Sequence, residues 1–546
     1  MASRNLTTVE ALAVLQKNSD QLFLVVTGLF VFFMQAGFGF REAGSVRSKN
    51  TTNILIRTML NVFISGIAYW GVGYAFAYGT PSNFFLGHSN FFLSLPVVDV
   101  THARWFFQFT LAATCVTIVS RALTERAEFA ACLVYAMLIS GFLYPVVSHW
   151  AWDPAGWLRI GAKDPGLVFP NFSRPLFQDF AGSGVVHMTG GAIALVGAIM
   201  VGRRIGRFEG RRAVRIPEHN VPLVSLGTFM MFLGLLAFNV GAQGAISRSG
   251  DGEAVSVITV NTVISAAMGG LVAMLMKRVG ILGKPNWTYL SAANGALTGM
   301  VSVAAGCDVV YTWGALVIGT VAGLTYCVWS RLLQALRIDD PVDTIAVHLG
   351  GGFWGLVAAP ILSRNGIIQE VSTMNLKLFG WNLAGAVAIF GWGVVTAVVI
   401  FGIMKCFGAL RVDGEVEMQG LDVPKHDEPA YPQDGYNNGW RQQGTLDRKY
   451  AGVNNDGFIS AAVPASKLAV PEKPRGSAPM MSTPAIYDDV PYIREMQMSG
   501  RAPRDPRDMT LSRDPRVMTV SRDPRVMTLS RDPRDSASYY VSQPYF

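Results

Sequence analysis

From residue 21 to about 410 the chain is a succession of apolar runs, each near twenty residues long and separated by short polar stretches. A helix needs roughly 20 mostly apolar residues to cross the hydrocarbon core of a bilayer. On that measure the pattern predicts spans near 21–40, 53–78, 104–123, 127–148, 180–202, 221–242, 254–276, 286–305, 309–332, 341–362 and 379–407. Glycine recurs inside these runs, at Gly182, Gly184, Gly190, Gly191, Gly269, Gly270 and Gly350 to Gly352. That would weaken a soluble helix, but small residues let membrane helices approach closely. The predicted fold is an all-α polytopic membrane protein of about eleven transmembrane helices around a central pore.

The connections alternate in charge. Those after the first, third, fifth, seventh and ninth spans carry Arg47 and Lys49; Arg121 and Arg126; six arginines between Arg203 and Arg215; Lys277, Arg278 and Lys284; and Arg331 and Arg337. The long connection 79–103 has no Lys or Arg. Basic loops stay on the cytoplasmic side, so the N-terminus is expected outside and the C-terminus in the cytoplasm. Residues 1–20 then form an extracellular N-terminus, 21–410 the transmembrane domain, and the protein sits in a membrane, expected to be the plasma membrane. No basic region followed by an apolar core precedes residue 21, so the first span is expected to direct insertion itself. The N-x-[ST] triplets at Asn5 and Asn171 fall outside under this topology.

Composition agrees. Hydrophobic residues make up 51% of the 546 and charged ones only 15%, against about 25% in soluble domains. The net charge of +8 lies in connections and tail, so the lipid bilayer is the expected partner and nucleic acid is not. The five cysteines lie in or beside apolar runs without metal spacing; no disulfide framework, metal or cofactor is expected.

Residues 411–431 are of mixed character, and 432–546 are too polar to bury a core, which predicts a disordered cytoplasmic tail. It contains a nine-residue repeat, RDPRDMTLS (504–512), RDPRVMTVS (513–521) and RDPRVMTLS (522–530). Each copy sets an arginine three residues before Thr510, Thr519 or Thr528. That spacing suits a basophilic kinase, a candidate partner; the alternative is an inert tail.

Ionisable groups within spans are costly and are candidates for function. His187 lies eight residues after Asp179, and His348 five after Asp343, each among small and apolar residues. Spacing alone leaves two readings open, functional imidazoles or satisfied core histidines. Asp179 stands just before the fifth span and suits a helix cap, with direct cation binding the alternative. Asp339, Asp340 and Asp343 likewise open the tenth, where Pro341 suits a first helical turn. The stretch 144–152, YPVVSHWAW, is expected to be an outer loop. Its Trp150 and Trp152 are either interfacial-belt residues or faces for a cation.

Five blocks together resemble the Amt/Mep/Rh ammonium transporter superfamily, specifically its Amt branch: MQAGFGFREAGSVRSKNTTNIL (34–55), DFAGSGVVHMTGGAIALVGAIMVGRRIGRF (179–208), LGTFMMFLGLLAFNVG (226–241), ALTGMVSVAAGCDVVYTWGALVIGTVAG (296–323) and IDDPVDTIAVHLGGGFWG (338–355). The resemblance covers roughly residues 20–431. It implies a homotrimer with a pore in each subunit. Ammonium, or its analogue methylammonium, is collected at an outer aromatic site, loses a proton and crosses as ammonia past paired histidines. By that resemblance His187 and His348 are the pore pair and Asp179 the acidic residue below the vestibule. Trp152 is the vestibule tryptophan, and Phe107 and Phe238 are the rings over the pore. The segment 411–431 resembles the family's regulatory C-terminus.

The sequence departs from the family pattern at several positions. Leu111 stands where a second gating phenylalanine is usual, and Ala242 where a serine is common. Leu235 and Leu236 replace a Trp-Tyr pair, Arg41 takes an ordinarily apolar place, and Pro424 removes a threonine used as a switch. The alternative function is an ammonium sensor with a signalling tail. No span carries a nucleophile–base pair or metal set, so an enzyme is not expected.

Overall fold

Each of the eleven expected spans is helical in the computed structural model, which describes residues 7–80, 82–94, 102–161, 177–210 and 212–432. In chain order the helices are α1 (Thr8–Ser45), α2 (Thr51–Ala68, continued by Tyr69–Gly73 and Tyr74–Tyr78), α3 (His102–Ala122) and α4 (Phe129–Leu138, continued by Ile139–Leu143 and Tyr144–Trp152). Then come α5 (Ser183–Met188 and Thr189–Val201), α6 (Val221–Gly241), α7 (Asp251–Arg278) and α8 (Tyr289–Val303). The last are α9 (Thr312–Ala335), α10 (Ala346–Gly350 and Gly351–Leu362) and α11 (Thr373–Cys406). Eight of these are long and apolar enough to cross a membrane; α3, α8 and α10 are shorter or more polar. The chain is a multi-pass, all-α membrane protein. The triplets at Asn5 and Asn171, and Thr510, Thr519 and Thr528 in the tail, lie outside the described residues.

Three expectations need correction. The first helix starts at Thr8, well before 21, because Thr7 and Glu10 form a capping box: Glu10 N–H donates to Thr7 Oγ1 at 3.3 Å and Thr7 N–H to Glu10 Oε2 at 2.8 Å. That signal fixes a helix start whether or not apolar residues follow. The stretch 144–152 is not an outer loop but the buried end of α4. The turn Ile139–Leu143 is a π-helix, whose wider winding carries the span onward. Finally, α10 begins after 341: Pro341 lies in a turn, Asp343 has φ 55°, and Asp340 is the cap, accepting from Ile345 N–H at 2.6 Å.

The glycines do pack helices closely. A Cβ on Gly269 of α7 would collide with the carbonyl of Gly295 on α8, and one on Gly323 of α9 with the carbonyl of Gly269. Along α1 and α6, Gly37 meets Gly227 and Met231 in the same way. With no hydrophobic drive between helices in lipid, such contact supplies the dispersion that holds the bundle.

One face of the bundle carries an ion network. Glu125 takes Arg47 at 2.8 Å and Arg204 at 3.2 Å, and Arg204 also holds Asp339 at 2.8 Å. Burial favours a protonated Asp339, but Arg126 and Arg204 hold its carboxyl well below the usual carboxylate range. Two short helices, α12 (Gly414–Gln419) and α13 (Asp422–His426), close this face. Glu417 accepts from Ile205 N–H at 2.7 Å, and Asp422 from Asn53 N–H at 2.8 Å. Asn50 accepts from Leu421 N–H at 3.0 Å, and Lys425 pairs with Glu128 at 2.9 Å.

Candidate functional site

Two of the helices that meet in the middle of the bundle, α5 and α10, both begin with a π-helical turn, and each turn carries a histidine. π-turns inside helices often mark functional positions. His187 and His348 are fully buried, and their Nδ1 atoms lie 3.2 Å apart. Their rings are stacked, with centroids 5.1 Å apart and 24° between planes. What allows this is glycine: a Cβ on Gly191, one turn after His187, would press into the backbone of Leu349, the neighbour of His348.

A hydrogen bond between two Nδ1 atoms needs one to donate and the other to accept. The donating ring then has its lone pair on Nε2, and the accepting ring has its N–H there. Neither Nε2 has a hydrogen-bond partner among the described residues. The pair therefore offers a small polar molecule one donor and one acceptor, and either ring can take either role.

Phe238 stacks on His187 with centroids 5.3 Å apart and 28° between planes. Phe107 of α3 packs against Gly241, one turn beyond Phe238 on α6, so closely that any side chain at 241 would collide with its ring. Phe107 and the buried Gln108 also line a cavity of about 410 Å³, together with Asp20, Arg104 and Gly241. Leu111 is buried on α3, one turn from Phe107.

Asp179 starts α5. Its Oδ1 accepts from Gly182 N–H at 3.1 Å, and its Oδ2 from Gly184 and Val185 N–H at 2.9 Å each. Gly182 has φ +93°, where a side chain would be strained, and a Cβ there would press on the ring of Trp152. The Trp152 indole donates to the Asp179 carbonyl at 2.8 Å. Trp152 thus braces the cap and does not line the 410 Å³ cavity.

The structure stacks Phe238, His187 and His348 together, with Phe107 against Gly241, one turn along α6 from Phe238, and Asp179 joined to Trp152 two turns before His187. Sequence reasoning missed the buried pair of Glu42 and Arg57, which are bonded to each other. It also missed His149, whose ring nitrogens meet the carbonyls of Ala77 and Asn83. The available signal was charge within or beside an apolar run.

The profile of the Ammonium Transporter Family matches residues 22–431. The chain belongs to that family. Among curated relatives, "Putative ammonium transporter 1" of Caenorhabditis elegans is 42% identical over 443 residues, covering 78% of this chain and 81% of that one. "Ammonium transporter 1 member 1" of Arabidopsis thaliana is 35% identical over 410 residues, covering 71% and 80%. Among solved structures, one titled "Sensor Amt Protein" aligns with TM-score 0.68 at 30% identity, over 76% of this chain and all of that chain. Mep2 of Saccharomyces cerevisiae aligns with TM-score 0.62 at 24% identity, over 73% and 88%, which speaks to the fold. Both curated relatives are named as ammonium transporters, and the family to which the chain belongs is one of transporters rather than enzymes.

Proposed function

We propose that this family member moves ammonium across the plasma membrane as a homotrimer, each subunit passing ammonia along the column of Phe107, Phe238, His187 and His348. The observation that carries the reading is the pair of stacked imidazoles joined through Nδ1. In a narrow apolar route, ammonia needs both a donor and an acceptor to replace lost water, and the two Nε2 atoms are one of each. A cation entering the same space would lose its hydration without a carboxylate to meet it, so the proton leaves first, at the aromatic side. Arg47 and Arg204 meet Glu125, which follows the end of α3 opposite Phe107, so these basic connections lie away from Phe107, which favours a cytoplasmic C-terminus. Methylammonium uptake in cells lacking their own ammonium transporters tests the reading. Wild type should restore uptake; His187→Ala and His348→Ala should not.

A second reading, an ammonium sensor, draws on the likeness to the structure titled as a sensor. Under it the body binds ammonium and the segment 411–431, packed on the basic face, relays the change toward the tail, with Thr510, Thr519 and Thr528 as kinase sites. Binding of methylammonium without uptake would favour this reading.

A further inference from the structure

One turn beyond the histidines, away from Phe107, the bundle changes character. Two contacts mark the level of the pair. Gly190 of α5 lies against Cys115 and Ile118 of α3, and Gly351 of α10 against Thr298 and Ser302 of α8. The next turn of α3 brings Arg121, and the corresponding turn of α8 brings Asn294. From α1 come Phe38 and, three residues on, Arg41.

Both arginines are 1% exposed. Arg41 Nη2 donates to Asn294 Oδ1, so its side chain crosses from α1 to α8 beneath the histidines. Arg121 lies 5.2 Å over the Phe38 ring. Their partners are thus a neutral amide and an aromatic face. Arg41 Nε and Arg121 Nε and Nη2 meet no acceptor among the described residues. Three carboxylates lie nearby, each with other donors. Glu42 holds Arg57, Asp340 caps Ile345, and Asp343 accepts from Tyr326 at 2.8 Å, from Ser330 at 3.1 Å and, at 3.3 Å, from the amide of the same Asn294 that takes Arg41.

We infer that Arg41 and Arg121 form a cationic barrier at the inner end of the transport route, which turns back cations that have kept their charge and lets ammonia through. This rests on the reading of the histidine pair as part of that route. A guanidinium does not lose its proton in a protein, so the barrier stands at every physiological pH. A fixed positive charge excludes cations from a narrow pore, while the lone pair of ammonia can accept from the free N–H groups. The barrier therefore discriminates by charge and not by size.

The test uses the full chain in oocytes. It measures charge moved per methylammonium taken up, and potassium current without ammonium. Arg41→Gln keeps an amide able to reach Asn294 but removes the charge; Arg121→Gln does the same over Phe38. At equal surface abundance, one or both should raise the charge ratio or the potassium current at least about tenfold, well within what removing one unit charge at close range in a protein interior can produce. Arg41→Lys, which keeps the charge, should hold the wild-type ratio. Wild-type ratios in both glutamine variants overturn the inference. A purely structural role lowers abundance and leaves the ratio alone, and that result overturns it too. If Arg41→Gln does not reach the surface, Arg121→Gln decides. Normal transport in His187→Ala with an altered ratio in Arg41→Gln removes the histidine reading and keeps the barrier. The opposite pattern does the reverse.

Discussion

On the Asp179 side of the histidine pair, the carboxylate that starts α5 is held by main chain. Its oxygens take three N–H groups of the helix they start, and its neighbours are Trp152 and glycines. On the Arg41 side the charges are several and are held by side chains from different helices. Arg41 reaches Asn294, Arg57 reaches Glu42, and Asp343 gathers Tyr326 and Ser330. The difference is one of rigidity. A carboxylate bonded to its own helix stays where the backbone puts it, whereas bridges between helices depend on how those helices sit. The Asp179 turn is thus built to hold one geometry, and the Arg41 side to join several elements.

The largest effect that tests this contrast is at the histidines between the two sides. Replacing either His187 or His348 with Ala should abolish selective ammonium transport while assembly at the surface persists, measured by methylammonium uptake against surface labelling. Wild-type rate and selectivity in both variants would remove the pair from the route.

Next comes the outer cap. Asp179→Ala leaves three buried N–H groups without an acceptor, a cost on the order of 3 kcal/mol or more. It should therefore lower thermal stability and surface abundance as well as transport. A variant that is folded and abundant but fails to bind ammonium would show that the carboxylate contacts the cation, against the rigid-scaffold contrast.

A smaller effect is expected at Leu111. Leu111→Phe adds an aromatic face one turn from Phe107, and cation–π attraction of about 1 kcal/mol corresponds to a roughly fivefold lower half-saturation for methylammonium. An unchanged value would place this position off the substrate path.

The smallest concerns the inner face. Burial lowers the pKa of His426, whose Nε2 lies 2.8 Å from the Asn53 amide and whose ring meets Phe129 edge-on at 5.0 Å. The docked segment therefore favours neutral imidazole. The undocked segment binds the proton more readily, so docking is strongest above the ordinary histidine range and weakens as pH falls through it. Burial also raises the pKa of Asp422, which acts in the opposite sense but at lower pH. Protease cleavage near 426 should rise from pH 7.5 to pH 6, and His426→Gln should flatten the response.

The spans were legible because length and apolarity alone decide them, and the family because blocks such as 179–208 combine Asp, Gly and His at fixed spacing. His187 and His348 stood out as ionisable groups in apolar surroundings. Their stacking did not, since it depends on two π-turns and on Gly191 touching Leu349 across the bundle. Trp152 was expected at an interface or over a cation, and its bond to the Asp179 carbonyl follows from tertiary placement. The start at Thr8 was missed because the apolar pattern was weighed above the capping box. Glu42 with Arg57 was missed because each sits near the end of its run, where a charge reads as belonging to the loop.

The bonds from Leu421 to Asn50 and from Asp422 to Asn53 join residues about 370 positions apart. A chain made from its N-terminus displays Asn50, Asn53 and Glu128 long before their partners exist. Through most of synthesis the basic face is therefore unfinished, and it is completed only when the last described segment emerges and folds back. A product cut short before residue 411 would hold all eleven helices yet carry an open seam on that face, a ready mark by which a cell could tell an incomplete copy from a finished one.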